Sequence, residues 1–266
     1  MLKLKKSLGQ NFLSDKNIIK KIISLANFKN QTIIEIGPGS GNLTEFIIKK
    51  QPKKIILIEK DQRFCKLLRE KLKNQKNIEI YNKDILEHTF NESYLENSII
   101  FGNLPYNIST QILVKFINLK MWPPFFNKAI FMFQKEVADR ILAKHNTKEY
   151  GRISILTNFR LEIVENFKIS RNCFFPKPNV DSKIIVFKPR AKVIFKIRDV
   201  KSLEKITNIF FSSKRKMINK PMSKIFKGYK NIAKKLSLNL NSRPSELSCD
   251  DYYRLAELYE KSKKII

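Results

Sequence analysis

The stretch Thr32-Ile33-Ile34-Glu35-Ile36-Gly37-Pro38-Gly39-Ser40-Gly41 decides the fold of this chain. It joins a β-branched strand pattern to a glycine-rich turn, and Leu43, Phe46 and Ile47 then follow at helical spacing with their apolar side chains on one face. Glycines at a strand-to-helix turn allow a tight bend and let a ligand approach the backbone where a Cβ would collide. The stretch therefore predicts the start of a βαβ unit with a binding site at its turn.

Further β-branched runs alternate with amphipathic, helical stretches on the C-terminal side of this turn. Together with the first, the predicted strands are Thr32–Gly37, Lys54–Glu59, Asn77–Asn82, Ser98–Asn103 and Lys128–Gln134. Such alternation predicts a parallel sheet that helices cover on both faces. We therefore expect an α/β fold with a Rossmann-like sheet.

The pattern changes after Gly151. Two segments, Ile153–Phe167 and Ser182–Lys188, have extended character and predict a closing β-hairpin. The chain is helical in pattern after residue 190, and its last helix is preceded by a capping-box match at Ser248–Asp251. We expect a catalytic domain over residues 1–190 and a small helical domain over residues 191–266.

A formal net charge of +29 points to a polyanionic partner. Lys and Arg in such excess bind nucleic acid by releasing its counterions. The net positive charge per residue is about twice as dense in residues 191–266 as in residues 1–190, which predicts an RNA-binding role for the C-terminal domain. The alternative explanation of the charge is an AT-rich coding sequence, which would enrich Lys, Ile and Asn in any protein. The basic cluster Lys214–Lys216 could likewise be a solvated helix face and not a binding site.

Cysteine and histidine usage argues against a disulfide framework and against a metal site. The three cysteines lie far apart, without a C-x-x-C pair, and the two histidines, His88 and His145, lie far from each other and from any cysteine. No apolar run reaches the ~20 residues that a membrane-spanning helix needs. We expect a soluble, cytoplasmic protein without metal or membrane partner, and a monomer.

Two carboxylates follow the glycine-rich turn at positions suited to a nucleoside cofactor. Glu59 closes the second predicted strand, where a carboxylate can accept hydrogen bonds from both hydroxyls of a ribose. Asp84 follows the third strand and could accept a bond from an adenine amino group, or could serve as a turn or helix-capping residue. Gly37, Gly39 and Gly41 lack the further glycine of a dinucleotide fingerprint. The residues leave both S-adenosylmethionine and NAD open as cofactors.

The segment Asn103-Leu104-Pro105-Tyr106 ends the fourth predicted strand and suits chemistry on an adenine amino group. That nitrogen is a poor nucleophile because its lone pair is delocalised into the ring. The Asn103 side-chain oxygen and the Leu104 carbonyl could accept its two N–H bonds and favour a pyramidal nitrogen. Pro105 fixes φ, and Tyr106 offers a face for a base extruded from its stack. The other interpretation is that this segment is an ordinary loop turn without a role in catalysis.

These motifs, in this order, resemble the KsgA/RsmA family of small-subunit ribosomal RNA adenine dimethyltransferases, and the resemblance covers most of the chain. The matching segments are Leu8–Leu13, Glu35–Gly39, Phe101–Thr110, Gln134–Val137, Tyr150–Arg152 and Pro178–Ser182. The resemblance implies an S-adenosylmethionine-dependent methyltransferase. It also implies N6-dimethylation of adjacent adenosines near the 3′ end of 16S ribosomal RNA in an immature 30S particle, and a role in small-subunit biogenesis.

The resemblance also implies which residues do this work. Those implied to contact the cofactor are Asn11, Leu13, Gly37, Gly39, Glu59, Asp84 and Asn103. Phe174, at the start of a proline-rich turn, is implied to stack on the target base opposite Tyr106. This turn departs slightly from the more proline-rich family version, so Phe175 is the alternative stacking residue, and either ring could instead belong to the core.

Three other functions are compatible with parts of this pattern. A large-subunit ribosomal RNA adenine methyltransferase of the macrolide-resistance type shares the cofactor and acceptor motifs. A non-catalytic ribosome-assembly factor would bind immature small subunits through its charge and use the cofactor only structurally, although an intact Asn-Leu-Pro-Tyr segment argues against pure binding. A nicotinamide-dependent dehydrogenase needs an acid/base residue at its hydride site, and neither histidine supplies one convincingly.

Overall fold

A computed structural model describes residues 11–92 and 95–263 of the chain. Leu8–Gln10, the first part of one family motif, lie outside the described residues. The strands are β1 (Phe12–Leu13), β2 (Thr32–Ile36), β3 (Lys54–Glu59), β4 (Ile78–Asn82), β5 (Ser98–Asn103), β6 (Phe126–Gln134), β7 (Leu161–Ile169), β8 (Phe174–Phe175) and β9 (Ser182–Pro189). The helices are α1 (Lys16–Ile23), α2 (Asn42–Ile48), α3 (Gln62–Lys71), α4 (Ser109–Ile117), α5 (Lys135–Leu142), α6 (Arg152–Arg160), α7 (Val200–Phe211), α8 (Asn219–Ile225), α9 (Tyr229–Lys235) and α10 (Cys249–Lys263).

Seven strands form one mixed sheet in the order β4-β3-β2-β5-β6-β9-β7. The strands from β4 to β6 are parallel to their neighbours, whereas β9 runs antiparallel to β6. The chain moves outward from β2 through β3 to β4 and then returns to β5 on the other side of β2. Open sheets bind ligands at such a reversal of strand order, outside the carboxyl ends of the strands.

The central strands of this sheet form because their side chains are buried on both faces. All five side chains of β2 are buried, as are Ile55–Glu59 of β3 and Ser98–Gly102 of β5. Continuous apolar runs of this kind are typical of parallel strands with both faces covered. The predicted α/β sheet is confirmed, and its five predicted strands agree with the structure to within two residues at each end.

Two short elements beside the sheet place the N-terminal segment against the proline-rich turn. β1 pairs antiparallel with β8, so that Phe12 lies opposite Phe175 and Leu13 lies opposite Phe174. Leu13 and Phe174 are both buried in the main apolar cluster, together with residues of α1, α2 and the central strands. This two-stranded pairing connects residues far apart in the chain.

The prediction of an extended segment over Ile153–Phe167 is wrong in its first half. Residues 152–160 form α6, and the strand β7 begins only at Leu161. The Ser154 hydroxyl accepts the Gly151 N–H at 3.2 Å, and Ile155 and Phe159 are buried on the same helix. Burial of these side chains outweighs the preference of the β-branched residues in this segment for an extended conformation. The predicted pairing with Ser182–Lys188 is confirmed, because β7 and β9 are neighbours in the sheet.

The described chain divides into two compact units. The sheet belongs to the first unit, whose ranges are 1–115, 121–138 and 162–189. The second unit comprises 116–120, 139–161 and 190–266. The predicted domain limits at 190 and 191 fall beside the last of these boundaries, but α6 precedes that point in the chain and belongs to the second unit. The assignment of residues 191–266 to an RNA-binding domain stays a prediction.

Helices build the second unit, in which α6, α7 and α10 pack on one another. Phe210 of α7 meets Tyr252 of α10 edge to face at 5.5 Å, and the Tyr253 hydroxyl donates to the Ile155 carbonyl at 3.0 Å. The predicted capping box is confirmed, since the Asp251 N–H donates to Ser248 Oγ and Ser248 N–H donates to the Asp251 carboxylate. No helix in the described residues has the length and apolar character to cross a membrane.

Candidate active site

A cleft of 280 Å³ opens at the carboxyl ends of β2, β3 and β5 and beside the residues that follow β4. Its position agrees with the reversal of strand order between β2 and β5. The lining residues are Asn11, Phe12, Ile36, Gly37, Gly39, Ile58, Glu59, Lys60, Lys83, Asp84, Ile85, Leu86, Asn103, Leu104, Pro105, Tyr106, Asn107 and Ile108. Most of the sequence-predicted site residues therefore lie around one cavity.

The glycine-rich turn lies at the floor of the cleft in a conformation that favours glycine. Gly37, Gly39 and Gly41 have φ values of +66°, +55° and +85°, in the left-handed region that side chains disfavour. A Cβ on Gly37 would lie 3.7 Å from the Asn103 carbonyl oxygen, and one on Gly39 would lie 2.3 Å from the Phe12 ring. The absence of a side chain at Gly39 lets the turn pack directly on the Phe12 ring.

Glu59 ends β3 with its carboxylate buried against main-chain donors. Oε2 accepts the Gly39 N–H at 3.1 Å, and Oε1 accepts the Asp61 N–H at 2.8 Å. Burial raises the pKa of Glu59, and these two hydrogen bonds oppose that shift. The carboxylate is held in one orientation at the edge of the cleft, where its remaining lone pairs can accept ligand hydroxyls.

Asp84 lies in a turn after β4, where its side chain accepts a main-chain N–H, the turn role that its position in the sequence suggested. Its Oδ1 accepts the Leu86 N–H at 2.9 Å, and its Oδ2 pairs with the Lys60 ammonium at 2.7 Å. Burial acts to raise the pKa of Asp84, but the bonds from Lys60 and Leu86 outweigh it and lower that pKa. Asp84 is therefore an ionised acceptor at the cleft, with an exposed lysine beside it.

Asn103 is the last residue of β5 and is half-buried at the cleft. Its Nδ2 donates to the Asn11 carbonyl at 2.9 Å, across 92 positions of sequence. The assignment of oxygen and nitrogen in this amide follows from that bond. Within residues 11–92 and 95–263, the side-chain oxygen Oδ1 has no donor, so Asn103 presents an acceptor to a ligand.

The residues after Asn103 form a turn that leads into α4. Leu104 is buried, and the Pro105 carbonyl accepts the Ile108 N–H at 3.1 Å. The half-buried Tyr106 shares a 2.7 Å hydrogen bond with the hydroxyl of Ser182, a buried residue at the start of β9. Burial raises the pKa of the Tyr106 phenol, which is therefore neutral at physiological pH. The Tyr106 ring is anchored at its hydroxyl end.

The structure does not bring two of the predicted residues to this cleft. Leu13 is buried and lines a second cavity of 30 Å³ behind the glycine turn. Phe174 is buried in the apolar cluster at 4% exposure, whereas Phe175 is 60% exposed. Neither phenylalanine lines the cleft. The stacking role of Phe174 stays a prediction, and it requires this ring to become accessible when substrate binds.

Sequence reasoning did not single out several residues that line the cleft. Phe12 carries a ring that packs edge to face on Phe64 at 5.4 Å. Lys60, Ile85 and Leu86 lie beside Asp84. Lys60, Ile85 and Leu86 could have been predicted to line the cleft because they are next to Glu59 or Asp84 in the chain. A residue next to a strand-end carboxylate lies at the same edge of the sheet. No group of side chains suited to hold a metal ion is found in the described residues.

Comparison with known proteins places the chain in a family. The family model described as ribosomal RNA adenine dimethylase matches residues 1–261. The chain is 46% identical to ribosomal RNA small subunit methyltransferase A of Pelagibacter ubique, over 97% of this chain and 98% of that protein.

Solved structures give the same result. A dimethyladenosine transferase from Plasmodium falciparum superposes with a TM-score of 0.80 at 26% identity, covering 96% of this chain and 98% of that one. The 23S rRNA methyltransferase ErmE superposes with a TM-score of 0.67 at 25% identity, covering 94% and 99%. The match over nearly the whole length, together with a cleft lined by Asn103–Tyr106, shows that this chain belongs to the ribosomal RNA adenine dimethylase family.

Proposed function

We propose that this chain transfers methyl groups from S-adenosylmethionine to the N6 atoms of adjacent adenosines near the 3′ end of 16S ribosomal RNA. The single observation that carries the proposal is that Glu59 and the Asn103–Tyr106 segment line one cleft. Family membership and the small-subunit name of the 46% identical relative support the reaction and the target. The substrate would be an immature small subunit in the cytoplasm, and the enzyme would act as a monomer.

The cleft fits a nucleoside-containing cofactor. Its 280 Å³ volume is close to the lower end of the ~300–1,000 Å³ range of small-molecule sites. The glycine turn leaves room for the ligand, Glu59 would accept the ribose hydroxyls, and Asp84 would accept the adenine amino group. Asn11, Leu13, Gly37, Gly39 and Asn103 complete the proposed cofactor set. When bound, S-adenosylmethionine supplies an electrophilic methyl group on a positively charged sulfur.

The acceptor segment would activate the target by position alone. Asn103 Oδ1 and the Leu104 carbonyl would accept the two N6–H bonds, which turns the nitrogen lone pair towards the methyl donor. The bond from Asn103 Nδ2 to the Asn11 carbonyl supports this role because it leaves the oxygen as the ligand-facing atom. Misplacement of reacting groups by ~1 Å costs on the order of 10²-fold in rate, so the fixed amide is the central requirement.

Aromatic stacking would stabilise the extruded base. Base–aromatic stacking contributes about 1–3 kcal/mol per base, which can offset the few kcal/mol that extrusion costs. Tyr106 is the better-supported platform, since it lines the cleft and its hydroxyl is anchored on Ser182. Pro105 would keep the turn rigid, and Phe174 would join Tyr106 only after a rearrangement that uncovers it.

Residues 191–266, in which net positive charge per residue is about twice as dense as in residues 1–190, would supply much of the affinity for RNA. The net charge of +29 favours binding of a phosphate backbone through counterion release. We therefore propose residues 191–266, with their dense lysines, as the main RNA-binding region. Affinity for RNA and competence in methyl transfer should then be separable by mutation.

The test is methyl transfer from labelled S-adenosylmethionine to undermethylated small subunits and, in a parallel reaction, to undermethylated large subunits, with the modified nucleosides mapped by mass spectrometry. Wild-type protein should place two methyl groups on each of two adjacent adenosines. Label on large-subunit RNA alone would contradict the proposal in favour of the large-subunit alternative. Absence of transfer with intact RNA binding would favour a non-catalytic assembly factor.

The Asn103→Ala variant tests whether the Asn103 side chain is needed for methyl transfer. We expect methyl transfer to fall by at least about 10²-fold, while affinity for RNA stays within about twofold, because phosphate contacts supply that affinity. Asn77→Ala is the matched control, since its Nδ2 also donates to a main-chain carbonyl, that of Pro52 at 2.9 Å, away from the cleft. Equal loss of RNA affinity and transfer in Asn103→Ala would contradict the proposed role.

A further inference from the structure

Lys115 is a half-buried lysine of α4 that does not line the cleft but is bonded to the turn that does. Its ammonium donates to the Leu86 carbonyl at 2.9 Å and to the His88 carbonyl at 2.7 Å. Lysine is seldom buried without a partner because its charge must be solvated or paired. Two main-chain carbonyls therefore serve as the polar environment of this ammonium.

The turn from Asp84 to His88 is closed by its own hydrogen bonds. The Asp84 carbonyl accepts the Glu87 N–H at 3.1 Å and the His88 N–H at 2.9 Å, and Asp84 Oδ1 accepts the Leu86 N–H at 2.9 Å. These bonds fix Asp84 and the carbonyls of Leu86 and His88 relative to one another. Asp84, Ile85 and Leu86 form part of the cleft wall, whereas the carbonyls of Leu86 and His88 point to α4.

Lys115 and Asp84 each favour the charged form of the other. Burial lowers the pKa of Lys115, and the nearby Asp84 carboxylate opposes that shift. Lys115 in turn contributes to lowering the pKa of Asp84, although the hydrogen bond from Lys60 has the larger effect. A cation that holds the carbonyl end of a turn also favours the ionised carboxylate at its beginning.

We propose that Lys115 is a positioning residue for the cofactor: it ties the Asp84–His88 turn to α4 and so fixes the wall that takes the adenine ring. This inference rests on the proposed function, since it assumes that S-adenosylmethionine occupies the cleft. Lys60 also bonds Asp84, but its side chain is 61% exposed, and solvated lysines of this kind contribute little to positioning. The half-buried Lys115 is the stronger anchor.

The test compares cofactor binding in Lys115→Met and wild-type protein by calorimetric titration with S-adenosylmethionine and S-adenosylhomocysteine. Methionine keeps the unbranched stem and removes the ammonium. We expect Kd to rise about 10-fold, the factor that corresponds to 1.4 kcal/mol. KM for the cofactor should rise in parallel, while kcat at saturating cofactor stays within about twofold, because the reacting groups around Asn103 are untouched.

Lys128→Met is the matched control. Lys128 of β6 is also half-buried, its pKa is also lowered by burial, and its ammonium also donates to a main-chain carbonyl, that of Leu25 at 2.7 Å. Neither Lys128 nor Leu25 lines the cleft. Both lysine variants should lose stability, but only Lys115→Met should lose cofactor affinity. Lys115→Arg, which keeps a charged donor, should restore most of that affinity.

The outcomes distinguish failure of the positioning role from failure of the proposed function. Wild-type protein that binds no S-adenosylmethionine would overturn the proposed function and this inference with it. Wild-type binding that Lys115→Met leaves unchanged would overturn only the positioning role, as would equal weakening in Lys115→Met and Lys128→Met. If Lys115→Met does not fold, Lys115→Gln replaces it, with the same expected rise in Kd and the same contradicting result.

Discussion

The two walls of the cleft are held by different kinds of contact. Both carboxylates of the cofactor wall, Glu59 and Asp84, accept main-chain N–H groups of turns close to them in space. The acceptor wall, Asn103–Tyr106, is anchored by side chains that reach 92 and 76 positions along the chain, to Asn11 and Ser182. Turn geometry therefore orients the carboxylates of the proposed cofactor wall, with Lys115 of α4 bonded to one of those turns, whereas the proposed acceptor wall depends on side-chain bonds to distant segments.

This difference explains why the walls should respond differently to mutation. A change in backbone conformation should damage the cofactor wall, where glycines and main-chain donors set the shape. Removal of one hydroxyl or amide should damage the acceptor wall, where single side-chain bonds hold the turn.

Gly39→Ala should have the largest effect. Its φ of +55° costs an alanine about 1–2 kcal/mol, and overpacking against the Phe12 ring costs a further ~1–3 kcal/mol. We expect the free energy of unfolding to fall by about 4 kcal/mol on these grounds, and S-adenosylmethionine binding to be lost, as measured by urea unfolding and calorimetry.

Gly228→Ala is the control for conformational strain alone. Gly228 has a similar φ of +68°, and nothing lies within 4 Å of its added Cβ. It should lose about 1–2 kcal/mol of stability and bind the cofactor normally. An equal effect of the two substitutions would mean that the contact between Gly39 and Phe12 has no part in shaping the cofactor wall.

Glu35 should make stability depend on pH. It lies in β2 behind the cofactor wall, accepts the Thr44 hydroxyl at 2.6 Å, and burial raises its pKa from 4.5 to about 7. Between these values the folded protein binds a proton that the unfolded chain releases, so stability falls as pH rises from about 4.5 to 7, by an amount of the order of 3 kcal/mol. Below 4.5 this cost is absent.

Urea unfolding of wild-type protein and Glu35→Gln at pH 5 and pH 8 measures this contribution. Glutamine cannot ionise and can still accept the Thr44 hydroxyl, so the variant should lose most of the difference between the two pH values. An unchanged difference in Glu35→Gln would assign the pH dependence to other groups. Glu59, whose pKa burial also raises, would be the next to test.

Tyr106→Phe and Ser182→Ala should have the smallest effects and should act as one unit. Each variant removes the 2.7 Å bond between the two hydroxyls, which should cost about 0.5–1.5 kcal/mol. We expect kcat/KM for RNA to fall by up to about 10-fold in either variant, with no further loss in the double variant.

Tyr81→Phe is the control for loss of a tyrosine hydroxyl. Its hydroxyl donates to Glu79 at 2.9 Å on an exposed part of β4, and the variant should leave kcat/KM unchanged. Additive effects of Tyr106→Phe and Ser182→Ala would show that the two residues act independently. In that case the acceptor wall would not depend on this long-range anchor.

Much of the cofactor wall could be predicted from the sequence. Gly37, Gly39, Glu59 and Asp84 lie at or just after the ends of strands β2, β3 and β4, and the carboxyl ends of parallel strands meet at one edge of a sheet. The apolar runs of β2, β3, β5 and β6 predict those strands because their side chains are buried, whereas β4 lies at the edge of the sheet and is partly exposed. The sequence pattern predicts a strand where α6 forms, since the burial of α6 depends on residues far from it in the chain.

Local conformational preferences and regular spacing suffice to predict the parallel sheet, the glycine turn and the position of Asn103–Tyr106 at the end of a strand. Only the folded structure shows that Asn103 bonds Asn11, that Tyr106 bonds Ser182 and that Lys115 bonds the turn after β4. It also shows that Phe174 is buried while Phe175 is exposed. These contacts join residues that are far apart in the chain and that follow no helical or strand spacing. A local sequence pattern therefore cannot predict them.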